Sequence, residues 1–309
     1  KVKTRLWFKW GKAWTNDQGY YKINKSYKRN VRYSVVFKNK IGFKVWPSIV
    51  SVSSARYAAG KHSKNGRNMN FKTNSRAWKW STVNNATVKY FDYCAQFGIR
   101  KPHTNLRITA NNQSGGVAAP MLRHNWGILG FRTNSDLISF LNKAALVYLR
   151  VPQLLTVTKF VQPDIIIKAN SDQGTLKVFK VSFHELAHAS HFKNVGSNYW
   201  TKYINYIITY GAYGDGSGYN AGICGVGEMW GNYLSAFLTD AEFVGYNYLN
   251  NWQNQIYGGE EDWFNPGFLK HVNDIQDISI ADIYSCLTPD VITIDKFITK
   301  LKTKTTHDE

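Results

Sequence analysis

Residues 184–191 read HELAHASH, which sets His184 and His188 four residues apart with Glu185 beside the first. On an α-helix, positions i and i+4 stand one above the other on a single face. Two imidazoles one turn apart reach one metal ion at about 2.0–2.1 Å while the backbone between them stays hydrogen-bonded. The flanks supply the helix, because TLKVFKVSFHELAHASHFK (residues 175–193) keeps a helical apolar period with Gly174 just before it. Histidines that merely pack in a core or sit on a surface have no need of a neighbouring Glu. The pattern therefore predicts Zn2+ on this helix, with Glu185 as the general base that takes a proton from water.

A catalytic zinc has three protein ligands and an open position, so a third ligand has to come from elsewhere. His191 lies on the same helix face, but seven residues of helix put its backbone about 10 Å from that of His184. The pattern in which a Gly turns the chain, HExxHxxGxxH, also fails, since His191 occupies the Gly position and Asn194 the last His position. His191 is expected to line the cleft or to lie on the surface. Asp215, in YGDGSGY, is set among seven glycines between Gly211 and Gly227, a loose setting for a ligand, and the stretch reads as a flexible wall of the cleft. His271 follows FLK in a helical stretch with no acidic partner at ligand spacing. Glu228, one of six glutamates, opens the helix GEMWGNYLSAFL forty residues beyond His188 and is the strongest candidate. The plainer reading of Glu228 is a helix N-terminal acid held by the macrodipole.

The charge of the chain is uneven. Residues 1–150 hold 28 Lys and Arg against 3 Asp and Glu, a balance of +25, whereas residues 151–309 hold 11 against 17, a balance of −6. Such a field attracts polyanions, whether nucleic acid, anionic glycan or an acidic membrane surface. In the first stretch, which contains RLWFKWGKAW and TNDQGYYKI, basic residues alternate with aromatic or β-branched ones, the period of strands. A Gly/Asn-rich loop at 58–74 suggests a division into a basic antiparallel β unit, 1–70, and a larger unit, 71–309. Beyond it, a helix is expected around Trp78–Phe91, a strand at LRIT, a helix at 135–148 capped by Asn134 or Ser135, and a short buried strand at DIIIK. The rest reads as helices at 199–210, 228–238 and 242–255, with short ones near Ile280 and Ile292. Strands before and helices after argue for an α+β fold. No apolar run reaches the length of a membrane span. Cys94, Cys224 and Cys286 allow at most one disulfide.

HELAH together with GEMWGNY resembles the gluzincin type of zincin metallopeptidase over about residues 181–238. The resemblance implies a zincin-like domain in which His184, His188 and Glu228 hold zinc, Glu185 is the base, and peptide or protein is the substrate. Gluzincins place an Asp one turn after the ligand Glu, and here the residue is Asn232. They also use a downstream His or Tyr for the oxyanion, for which His271 is the expectation among many tyrosines. TNDQGYYKI resembles the hairpin of carboxypeptidase regulatory-like domains, which are transthyretin-type sandwiches. The whole is similar to secreted or surface-anchored bacterial metallopeptidases, which implies an extracytoplasmic setting, with the leader not present in this chain. The rival reading from the residues is a surface protein that binds an anionic glycan or cell-envelope polymer through the basic aromatic half, with a structural or inactive zinc site.

Overall fold

The computed structural model describes residues 1–49, 51–73, 75–111, 117–125, 163–168, 173–210, 213–250, 263–275 and 278–304. The helix read at 135–148 with its cap at 134 or 135, and residues 251–255 of the helix read at 242–255, lie outside them.

Alternation builds the first sheet. β1 (Val2–Leu6), β2 (Lys9–Ala13), β3 (Val31–Val36) and β5 (Arg56–His62) pair antiparallel in the order β2-β1-β3-β5. One face carries Val2, Val31, Tyr33 and Ala59 into a small core closed by Tyr27. The buried Thr4 hydroxyl lies 2.7 Å from the Tyr27 hydroxyl. The cover over this face is residues 20–27, drawn so close that a Cβ at Gly11 would stand 2.5 Å from Ile23, Thr4 and Tyr27.

Two expectations change here. TNDQG does form a turn, with Asn16 Oδ1 accepting from the Tyr20 N–H at 2.8 Å, but the residues after it form this cover rather than a strand. The hairpin is β1–β2, joined by Trp7 and Phe8. The unit is thus one four-stranded sheet under a stretch of irregular chain. The 58–74 loop also starts later than expected, because β5 runs through His62.

A second sheet is parallel: β4 (Lys44–Trp46), β6 (Arg107–Asn111) and β7 (Ile165–Lys168), in the order β4-β6-β7. LRIT and DIIIK supply β6 and β7, and all four residues of β7 are buried, as a strand covered on both faces requires. β4 falls inside residues 1–70, yet it pairs with β6, and Phe37, Phe43 and Val45 join the main core. The basic segment therefore shares a sheet and a core with the chain beyond residue 70.

α1 (Arg76–Gln96) starts at Ser75, whose hydroxyl accepts from the Trp78 N–H at 3.1 Å, and buries Trp78, Val83, Ala86, Tyr90 and Phe91. After the single turn α2 (Leu122–Asn125) come α3 (Thr175–Tyr210) and α4 (Ala221–Glu242), the helices that carry the site. α5 (Pro266–Ile275), α6 (Ile280–Ser285) and α7 (Ile294–Lys302) complete the order. α4 begins seven residues before Glu228 and ends at Glu242, so residues 243–249 do not continue a helix as expected. The three cysteines are free and buried. Mixed strands and helices with an antiparallel sheet are compatible with α+β. Among the described residues no helix is long and apolar enough to cross a membrane.

Asp164 ties β6, β7 and α2 together. Fully buried, it accepts from the Arg107 N–H at 2.8 Å and sits 2.8 Å from His124 Nδ1. The His124 ring stacks on His103 at 4.1 Å, and Lys193 Nζ donates to His103 Nδ1 at 3.3 Å. Burial first, and then the neighbouring His124, Lys193 and Arg100, push His103 from 6.5 down to about 4. Between those values the unfolded chain binds more protons than the folded one, so stability falls as pH drops through this window. Thermal melts of His103→Gln should show a shallower loss between pH 6.5 and 4 than the parent, and equal slopes would refute the assignment.

Candidate metal centre

The site rests on a reversal of α3. A straight helix would separate Tyr203 from His188 by about 22 Å along its axis, yet their ring centroids are 5.7 Å apart. The helical path breaks at Gly196, with φ 79° and ψ −179°, a region open essentially to glycine alone. Residues 197–210 therefore fold back on residues 175–195 and bring Trp200 and Tyr203 against the His188 ring.

α4 lies against this folded pair, pinned by Trp230 Nε1–H donating to the Ala187 carbonyl at 3.3 Å. It delivers Glu228 from its interior, not from its first turn. Two turns into the helix, the carboxylate cannot be a macrodipole cap, so that plainer reading falls. His184 Nε2 lies 3.0 Å from His188 Nε2, Glu228 Oε2 lies 3.2 Å from His184 Nε2, and Glu228 Oε1 lies 3.4 Å from His188 Nε2. The three residues form one group able to hold a metal ion. Four donors placed tetrahedrally around zinc would be separated by about 3.3 Å, given bonds near 2.0–2.1 Å. The observed triangle has that size, and its donors are of the kind zinc takes.

Burial makes the arrangement demanding. Glu228 and His188 expose only 2% and 3% of their side chains, while His184, at 13%, is nearest to solvent. Burial alone would raise the Glu228 carboxyl, but the charge of His188 and hydrogen bonds from both imidazoles hold it well below the usual carboxylate range. The Tyr203 hydroxyl donates to Glu228 Oε1. Burial, and next the Glu228 charge, push this phenol far above its ordinary value, so it remains a donor. Asn232, buried one turn after Glu228, donates from Nδ2 to the Glu228 carbonyl oxygen at 3.0 Å. Glu185 is also buried, next to His184 on α3.

The other candidates are not part of the group. His191 is wholly buried against Tyr199 and Trp200, at 5.3 and 5.7 Å, which overturns a surface position for it. Burial, then His188, drives its ring down to about 3, so it is a neutral core residue. Asp215 is exposed and folds onto its own turn, accepting from Ser217 N–H at 3.0 Å and Ser217 Oγ at 2.6 Å. The glycine-rich stretch is only partly a loop, since Gly222, Gly225 and Gly227 belong to α4. His271 is exposed on α5.

Two features of the site escape a reading of the sequence. Tyr203 belongs to a stripe of tyrosines at positions 199, 203, 206, 210 and 213 whose helical spacing reads as core packing, and only the reversal at Gly196 turns it toward Glu228. Gly231, one turn after Glu228, leaves room for both imidazoles: a Cβ there would lie 2.9 Å from His188 Cε1 and 3.0 Å from His184 Cε1. A glycine inside a helix costs about 1 kcal/mol relative to alanine, and that cost is the signal that could have marked it. No protein-family model matches the chain, and no curated protein or solved structure does either.

Gly231→Ala should weaken zinc binding by about tenfold or more, because the groups that must give way to the added Cβ are the two imidazoles themselves. Equal zinc affinity in competition with a chelating dye would mean that the imidazoles do not need this gap. Tyr203→Phe should lower zinc affinity by about 10- to 100-fold, the usual effect of removing a partner of a metal ligand. Unchanged affinity would show that the phenol does not orient Glu228.

Proposed function

We propose that the protein is a zinc-dependent metallopeptidase of gluzincin type, with His184, His188 and Glu228 as the zinc ligands. The observation that carries this reading is the convergence of two imidazole Nε2 atoms and one carboxylate, from two helices, with mutual spacings of 3.0–3.4 Å. Zinc in that setting supplies Lewis acidity toward a substrate carbonyl and toward water.

The residues of the chain divide the remaining work. His184 is the most exposed ligand, so substrate reaches the centre from its side. Glu185, adjacent to it, removes the proton from the attacking water and passes it to the leaving amine. Tyr203 fixes the Glu228 carboxylate, and Gly231 lets both imidazoles approach it. Oxyanion stabilisation is assigned to no residue: His271, expected for it from the sequence, is exposed on α5 and lies outside the three-residue group.

Glu185→Gln should retain one zinc per chain and lose peptide cleavage by at least about 10³-fold, a loss within the usual range for general acid–base catalysis. Mixed peptides incubated with the parent and this variant, with products read by mass spectrometry, check it. Cleavage by the variant at the parent's rate would refute the role of Glu185. A chelator should abolish cleavage by the parent, and zinc should restore it.

A further inference from the structure

The β1–β2 hairpin breaks a local rule with no gain inside the fold. Its two-residue turn is Trp7-Phe8, and Trp7 takes φ 53°, a left-handed position that such turns usually give to Gly or Asn. The rings gain no burial in return, as Trp7 is 75% and Phe8 92% exposed. Trp10, next along β2, is 49% exposed with the Arg5 guanidinium 4.4 Å over its ring.

The sheet below this tip is cationic throughout. None of its four strands contains an acid, and residues 1–62 hold 15 Lys and Arg against Asp17 alone. Register sets like charges opposite one another: Lys3 faces Lys12, Arg5 faces Arg32, and Arg32 faces Lys61. Such pairs destabilise a sheet. The same pairing brings Arg5, Lys9, Arg32 and Lys61 to the end of the sheet that carries the tip, where the exposed Lys28 and Arg29 lead into β3. Burial, and then Lys38, Arg56 and Lys12, lower the Lys3 ammonium, the mark of a crowded cationic surface.

We propose that this end of the sheet docks on an anionic lipid bilayer, with Trp7 and Phe8 entering the interface and the surrounding Lys and Arg meeting the headgroups. Rings can also stack on the sugars or bases of a soluble polyanion, but Trp7 and Phe8 are confined to one turn at the end of the sheet and are not strung along a charged groove. An aromatic pair projecting past a cationic stem instead fits a boundary with an anionic layer above and hydrocarbon beneath. The inference is independent of the metal centre.

Co-sedimentation of the full chain with vesicles tests it, using phosphatidylcholine alone and an equal mixture with phosphatidylglycerol. The parent should bind the mixed vesicles, less so as salt rises, and should leave the neutral ones in the supernatant. Trp7→Ser with Phe8→Ser should reduce that binding about tenfold or more with an unchanged melting temperature, since both side chains are exposed. Arg5→Glu with Arg32→Glu should reduce it as well. Binding to neither vesicle, or equal binding by parent and Trp7/Phe8 variant, overturns the proposal. So does retention on dextran sulfate by both proteins with no vesicle binding, which would mark a surface for soluble polyanions.

Discussion

A carboxylate cannot be taken out of water at modest cost unless something positive meets it. Glu228 is buried in the middle of α4, and everything around it answers that demand. His184 and His188 approach from α3, the Tyr203 hydroxyl comes from beyond the reversal at Gly196, and Gly231 keeps the space between them open. Two imidazole nitrogens 3.0 Å apart are themselves poor company, because a neutral ring has only one N–H and the second ring must either accept it or repel. A divalent cation satisfies all three donors at once.

That demand explains the fold around it. Without the break at Gly196, Trp200 and Tyr203 would be carried away from His188 along a straight helix. With it, one chain segment lays down two adjacent walls of the centre, and Trp230 fastens the third against them through the Ala187 carbonyl. The parallel sheet forms the floor of the same core, its β7 strand buried on both faces. The basic segment enters this core through Phe37, Phe43 and Val45, and its cationic antiparallel sheet turns an aromatic hairpin outward. The polar chemistry is thus concentrated at the buried helices, and the excess positive charge at an exposed sheet.

Much of this is legible in the sequence wherever a short period carries it. HELAH gives a helix and two members of the group that could hold a metal ion, DIIIK a buried strand, and the Trp78–Phe91 spacing a helix that buries those residues. The illegible features depend on distant chain. The start of α4 is hidden because Gly222, Gly225 and Gly227 read as loop, although tight packing, such as the Tyr203 ring at 3.1 Å from a Cβ on Gly227, accounts for one of them. TNDQGYYKI gives its turn correctly but not the path after it, since Ile23 and Tyr27 are claimed by a sheet face that forms from other strands. The pairing of β4 with β6 joins residues some sixty positions apart, and no local pattern announces such a partner.

The most direct test of the metal centre is X-ray absorption at the zinc K edge on zinc-loaded protein. The prediction is one ion per chain with two imidazole nitrogens and carboxylate oxygen in its shell, and one imidazole fewer in His188→Ala. A shell with sulfur from Cys94, Cys224 or Cys286, or one unaltered in Glu228→Ala, would contradict it.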